Sequence, residues 1–351
     1  PISLKLSFHT TTQVHYLFGI INKMTQIKHH REKYPHYLIE IAPECKRLDR
    51  IADYRTYINQ STLSIIKMLF KEHNLSLLDN RQKKLVKKPE YLAQYKETDF
   101  TFLTRCLAEE KIHYFFKHSD DASTLVLTDY SFPLITHPIP TKNIHRHWQK
   151  NSPKESKITF LSNTLGLHPG MRVPLPNRKT YLITEIITRA KDNFFFSQAI
   201  TCQPLDQFSQ SPITMQRPQI TGIQRATVNG PNKCEIFTNQ LAQIQCQFNW
   251  PTRQKNHHLK SSWIPIMQRL AHHQFGAQFI PRISHSILIC FLNGNPQTPF
   301  AIGCIYPNQD SLPPYFKENA KKSGFALGNA LVFDDTPGKE SLTLLGLKNI
   351  E

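Results

Sequence analysis

The sequence predicts a mainly β protein with a few helices, an α+β chain, and three observations carry that reading. Period-two alternation of apolar and polar residues recurs along most of the 351 residues. Only two stretches show helical spacing instead. Five or so short strands are crowded into about 80 residues after position 222, which suits a small barrel of the OB type.

The elements follow in order. Val14, Tyr16, Phe18 and Ile20 fall on one strand face, and Tyr37, Ile39 and Ile41 on another. The first helix has Ser61 or Asn59 as its cap and Leu63, Ile66, Leu69 and Phe70 as its apolar stripe. Asn74 is its expected stop, because Asn tolerates the left-handed conformation. The second helix spans 98–110, with Asp99 near its positive end and Phe100, Leu103 and Leu107 facing inward. A hairpin follows over 111–129, turning at Ser119-Asp120-Asp121-Ala122. Residues 133–156, proline-bearing and then basic and His-rich, read as an irregular connection.

Strands resume at 157–162, 180–188 and 193–202. Residues 203–221 hold Pro204, Pro212 and Pro218 without apolar periodicity and are the expected domain boundary. The cleanest alternation then covers 241–250: Ala242, Ile244, Cys246, Phe248 and Trp250 on one face, Gln243, Gln245, Gln247 and Asn249 on the other. Further strands are expected at 262–268, 286–291 and 300–306, with a turn at Asn293-Gly294-Asn295-Pro296 between the last two. One more strand pair flanks Asp334-Asp335-Thr336-Pro337-Gly338.

Composition narrows the class. At 39% hydrophobic and 20% charged residues the chain is globular rather than disordered. No run approaches the roughly 18 apolar residues that span a bilayer. The start, Pro1-Ile2-Ser3-Leu4-Lys5, carries no signal-peptide pattern and reads as a strand entered partway, as in a fragment. The seven cysteines (Cys45, Cys106, Cys202, Cys234, Cys246, Cys290 and Cys304) are odd in number and widely spaced. They read as reduced thiols made in a cytosol. The formal charge of +17 is spread along the chain, with short clusters at 28–31 and 81–88 that read as solvated loops.

Chemistry-bearing motifs are missing. There is no GxSxG, GxxxxGK[ST], HExxH or GxGxxG pattern, and twelve glycines leave little for phosphate-cradling loops. Adjacent histidines at 29–30, 257–258 and 272–273 point to opposite sides of an extended chain and seldom share a metal. His145 and His147 share a strand face but lack a completing carboxylate or thiolate nearby. Glu109-Glu110 closes a helix, and Asp120-Asp121 and Asp334-Asp335 sit in turns. No catalytic residue, cofactor site or metal site is therefore expected. Ile244, Phe248, Trp250, Trp263, Phe275 and Phe279 are candidates for barrel core or subunit contact, with nucleic-acid stacking the competing reading for Phe248, Trp250 and Trp263.

Two long stretches resemble the VgrG family of type VI secretion spikes. Gln94-Tyr95-Lys96-Glu97-Thr98-Asp99 opens the first, which continues through a helix ending Glu109-Glu110 to the aromatic strand Tyr114-Phe115-Phe116-Lys117-His118. The second runs from Gln245 to Trp250, then Ser262-Trp263, Phe275-Gly276-Ala277-Gln278-Phe279 and Asn293-Gly294-Asn295-Pro296. The resemblance implies a phage tail-hub-like domain over 1–221, an OB (tail-spike-like) domain over 222–312, and over 313–351 a linker with the beginning of a β-helical needle. It also implies a homotrimer on the Hcp tube with a PAAR-type tip and secreted effectors, assembled in the bacterial cytoplasm and exported without a signal peptide. A basic OB protein that binds single-stranded nucleic acid is the alternative, and a degenerate, non-assembling spike is another. The sequence departs from the family pattern at Lys111, where Gly is usual, and at Ser284-His285, which replaces Gly-Glu.

Overall fold

The computed structural model describes residues 2–9, 14–27, 36–79, 88–128, 144–152, 155–175, 179–191, 195–205, 216–253, 259–308, 312–313, 316, 321–326 and 329–346. The chain divides into two compact units, Pro1–Pro218 with Pro251–Lys255 and Gln219–Trp250 with Asn256–Glu351.

The first unit opens with an antiparallel sheet, β1 (Ser3–His9), β2 (Val14–Ile27) and β3 (His36–Ala42), in that order. Gly19 is required in β2, since a Cβ there would lie 2.3 Å from the Ala42 carbonyl oxygen. After a 3-10 turn at Glu44–Asp49 come β4 (Ala52–Ile58), α1 (Thr62–Glu72), β5 (Leu77–Asp79) and β6 (Tyr91–Thr98). α2 (Asp99–Glu109), β7 (His113–His118) and β8 (Ser123–Thr128) follow. β4 pairs antiparallel with β6, while β8 lies between β7 and a parallel β5.

Both helices begin and end for local reasons. Ser61 Oγ accepts from Ser64 N–H and Thr98 Oγ1 from Thr101 N–H, each satisfying one orphan donor of the first turn. Asn74, at φ +52°, stops α1 as its residue type predicts. Of the predicted stripes, Ile66, Leu69, Phe70, Leu103 and Leu107 are buried, with Leu63 and Phe100 packed at the edge of the same core.

The unit closes with a five-stranded sheet made of β9 (Ile144–Ser152), β10 (Glu155–Ser162), β11 (Arg172–Pro174), β12 (Thr180–Lys191) and β13 (Phe195–Pro204), ordered β11-β12-β13-β10-β9. Phe160, Val173, Tyr181, Ile183, Ile200 and Cys202 form its core. Residues 144–152 and 155–156 are thus strand, not irregular connection. Their polar, His-rich composition hid an edge strand, which needs only one good neighbour.

The second unit contains β14 (Gln224–Asn229), β15 (Gln245–Phe248), a hairpin of β16 (Ala271–His272) and β17 (Phe275–Gly276), β18 (Ser286–Phe291) and β19 (Pro299–Cys304). Its main sheet has the order β15-β14-β18-β19. Two expectations fail here. The 241–250 alternation yields only a four-residue strand, because Asn239 Oδ1 captures the N–H groups of Leu241 and Gln243 and Ala242 turns to φ +55°. The 262–268 segment makes only isolated bridges, Ile244 to Ile264 and Ile266 to Ala301, with Pro265 withholding a ladder donor between them.

The chain continues into β20 (Lys322–Ala326), β21 (Ala330–Asp334) and β22 (Ser341–Leu345), an antiparallel meander. β21 and β22 lie in the segment expected to begin the needle and pair directly with each other. Asp334 Oδ1 accepts from Thr336 N–H and Thr336 Oγ1, which tightens the turn and sends β22 straight back along β21.

Candidate functional site: barrel core and open apolar faces

The six aromatic and aliphatic candidates separate by burial. Ile244 (0% exposed), Phe248 (2%) and Trp250 (7%) are core residues of the second unit. The Phe248 and Trp250 rings stack at 4.2 Å and 5°, with Phe291 about equally close to both, at 5.9 and 6.1 Å. A stacked pair buried in this way is not a platform for bases, and its contribution lies in packing. Trp263 is half-buried, its ring 5.0 Å from that of Phe237.

Phe275 and Phe279 are on the surface, at 70% and 43% exposure. Phe275 opens β17 of the small hairpin and lines a shallow pocket with Leu241 and Leu270, all three exposed. Phe279 stacks on Phe325 of β20 at 5.0 Å and 10°.

The register of the last meander explains a second surface that alternation alone did not single out. Phe325 pairs with Leu331, Leu331 with Leu344, and Phe333 with Leu342, so five apolar side chains share one face of a three-stranded sheet. Phe325, Phe333, Leu342 and Leu344 are all exposed, while Ala330 and Val332 on the opposite face are buried. The antiparallel pairing is what brings them together.

Glu109, Asp121 and Asp334 take structural roles. No cluster of three or more metal-ligating residues occurs among the described residues. His29, His30, His257 and His258 lie outside the described residues, as does 81–87 of the basic cluster. His145 and His147 fall within β9, and His272 sits exposed on the small hairpin. Glu109 pairs with Arg105 and Arg217, and Asp121 accepts from Ser119 Oγ inside its turn. The hydrogen bonds from Thr336 hold the Asp334 carboxyl below the usual carboxylate range. All seven cysteines are free, and Cys45, Cys106, Cys202 and Cys246 are buried, with burial pushing each thiol up to about 12.

Comparison with known proteins assigns this architecture a class. The family profile of the phage tail baseplate hub matches residues 1–142, and that of the type VI secretion system/phage-baseplate injector OB domain matches residues 236–306. A tail-hub match is thus followed along the chain by an injector OB match. It is 22% identical to the type VI secretion system spike protein VgrG1b of Pseudomonas aeruginosa over 99% of its own length and 61% of that protein. It is 25% identical to the actin cross-linking toxin VgrG1 of Vibrio cholerae over 99% of itself and 40% of that protein. Among solved structures, an E. coli type VI secretion component described as similar to T4 bacteriophage tail proteins gp27 and gp5 shares the fold. It has a TM-score of 0.67 at 18% identity, over 85% of this chain and 86% of that one. A chain of the lidded Francisella PdpA-VgrG complex gives 0.58 at 11% identity, over 96% and 66%.

Along nearly its whole length the chain is similar to VgrG spike proteins of type VI secretion systems. It spans about three fifths of the length of the Pseudomonas VgrG1b protein.

Proposed function

We propose that this chain is the hub and injector body of a type VI secretion spike, a homotrimeric mechanical part with no catalytic role of its own. It would sit on an Hcp tube, carry a PAAR-type tip and effectors, and leave the bacterial cytoplasm with the machine. The observation that supports this most directly is the open face of β20–β22. Five apolar side chains on one sheet face are costly to leave in water, at roughly 25 cal/mol per Å² of apolar surface. A three-fold axis lets each copy cover its neighbour's face, as obligate interfaces do. Phe279, stacked on Phe325, joins the same surface. The single-stranded nucleic-acid reading lacks this support, because the barrel's stacked Phe248 and Trp250 face the core.

Charge opposes the assembly. Each copy carries +17, so three carry 3 × 17 = +51, and salt that screens this repulsion strengthens association. Sedimentation velocity across a series from low to high salt is the test. The expected result is a species of three times 40.8 kDa that gains population with salt, and that Leu342→Asp with Leu344→Asp converts to monomer. A monomer at every salt concentration, together with oligonucleotide binding that weakens steeply with salt, would favour the nucleic-acid reading instead.

A further inference from the structure

A cavity of about 480 Å³ lies wholly within the first unit, where β1 and β2, the β5-β8-β7 sheet, the 165–169 loop and strands β12 and β13 converge. Its walls are largely apolar, with Phe8, Leu17, Leu78, Leu165 and Ile186 among them. Three histidines reach it from separate segments: His15 from β2, His118 from the end of β7 and His168 from the loop. Lys117 stands exposed at its rim, and among the described residues no carboxylate lines it.

The histidines are held in defined orientations. His118 Nδ1 lies 2.8 Å from the Phe18 carbonyl oxygen and His168 Nδ1 2.8 Å from that of Pro169. A carbonyl only accepts, so Nδ1 carries the proton in both rings, and Nε2 is the nitrogen that gains or loses one. The His168 ring also stacks on Phe115 at 5.5 Å and 8°. His15 packs directly under Gly166, whose added Cβ would meet its ring at 2.8 Å.

A buried amide points the same way. Gln198, 6% exposed, donates Nε2–H to Thr188 Oγ1 at 3.2 Å, and its Oε1 makes no hydrogen bond. Turning that amide over lets Oε1 accept from the Thr188 hydroxyl and leaves an N–H group for an anion. Apolar walls, imidazoles and an amide able to donate, and no competing carboxylate define a ligand chemistry.

We infer that this cavity binds a small amphiphilic carboxylate, with the apolar body against Leu17, Leu78 and Ile186 and the carboxylate on the Nε2–H groups of His118 and His168. The inference is independent of the spike reading. Binding takes up protons, because burial otherwise keeps His118 neutral at pH 7. The other titratable side chains lining the cavity are His15, Tyr16, Lys117 and His168, with no carboxylate among them.

Octanoate is the probe, titrated calorimetrically into the full chain at pH 5.5, 7.0 and 8.5, with octanol as the uncharged control. One saturable site per chain is expected, tighter by about tenfold at pH 5.5 than at 8.5. His118→Gln weakens the pH dependence, and adding His168→Gln removes it. Leu78→Trp, at a position 41% exposed and so replaceable without opening the core, fills the cavity and abolishes binding at an unchanged thermal midpoint. Octanol binding as tightly as octanoate overturns the inference. So does octanoate affinity that ignores pH, or that survives Leu78→Trp. If His118→Gln fails to fold, the octanol control and Leu78→Trp still decide.

Discussion

Lys111 sits at φ +57°, just past the end of α2. Its N–H donates to the Ala108 carbonyl at 3.0 Å and the Ile112 N–H to that of Leu107 at 2.8 Å, which is the closure that glycine makes without strain. A side chain there costs about 1 kcal/mol, partly offset because glycine is also freer in the unfolded chain. Lys111→Gly should therefore raise the unfolding free energy by about 0.5–1 kcal/mol, read from urea denaturation as a higher midpoint with unchanged slope. A lowered midpoint would mean that the lysine earns its place through its side chain. Ser284, at φ +72°, is the second family glycine position and carries the same strain. Both departures from the family pattern thus keep the backbone conformation and change only its cost.

At the scale of elements, α2 is anchored by charge as much as by its apolar stripe. Arg105 is 2% exposed and sends Nε and Nη2 to the two Glu97 oxygens at 2.8 Å each, with a further bond from Nη2 to the Ala93 carbonyl at 3.1 Å. Burial works against its charge, but the Glu97 bonds outweigh it and raise the Arg105 pKa. Glu97→Gln leaves the buried guanidinium with only Glu109, at 3.4 Å, as counter-charge and should cost about 3 kcal/mol in equilibrium unfolding. Adding Arg105→Met should recover most of that loss. If the two changes simply sum, the residues are not coupled and the account of α2 fails. None of this network was legible in the sequence. Leu103 and Leu107 announced their burial by spacing, whereas Arg105 reads as a solvated position on the same helix. The helices, the β7–β8 hairpin and β18 were legible because local capping or alternation fixed them. β9 and the short span of β15 were not, because an edge position and the Asn239 turn decided them. The interaction surfaces followed the same division. Phe248 and Trp250 were placed by alternation, while the Phe325, Phe333, Leu342 and Leu344 face needed the register of three strands.

For the whole molecule, both units hold histidines that favour the neutral form. Burial lowers the pKa of His113 and His118 in the first unit, and a carbonyl contact from Phe18 only partly opposes this at His118. Burial, together with nearby Arg282, does the same to His285 in the second. A histidine whose folded pKa lies below its unfolded value of about 6.5 leaves stability untouched at higher pH. As pH falls through 6.5 the unfolded chain takes up protons that the folded chain refuses, so stability drops until the folded pKa is passed. Asp49 adds a separate loss at much lower pH. Burial opposes ionisation there, but hydrogen bonds from Lys46 and Thr98 hold its carboxyl below the usual range, and protonation removes what they contribute. The thermal midpoint should then be flat from pH 8.5 to 7 and fall by several degrees toward pH 5.5, before a further decline in strong acid. His113→Gln should reduce the first step for the first unit and leave the acid step in place. A midpoint that rises between pH 7 and 5.5 would show that these imidazoles gain partners on protonation, the reverse of what their burial dictates.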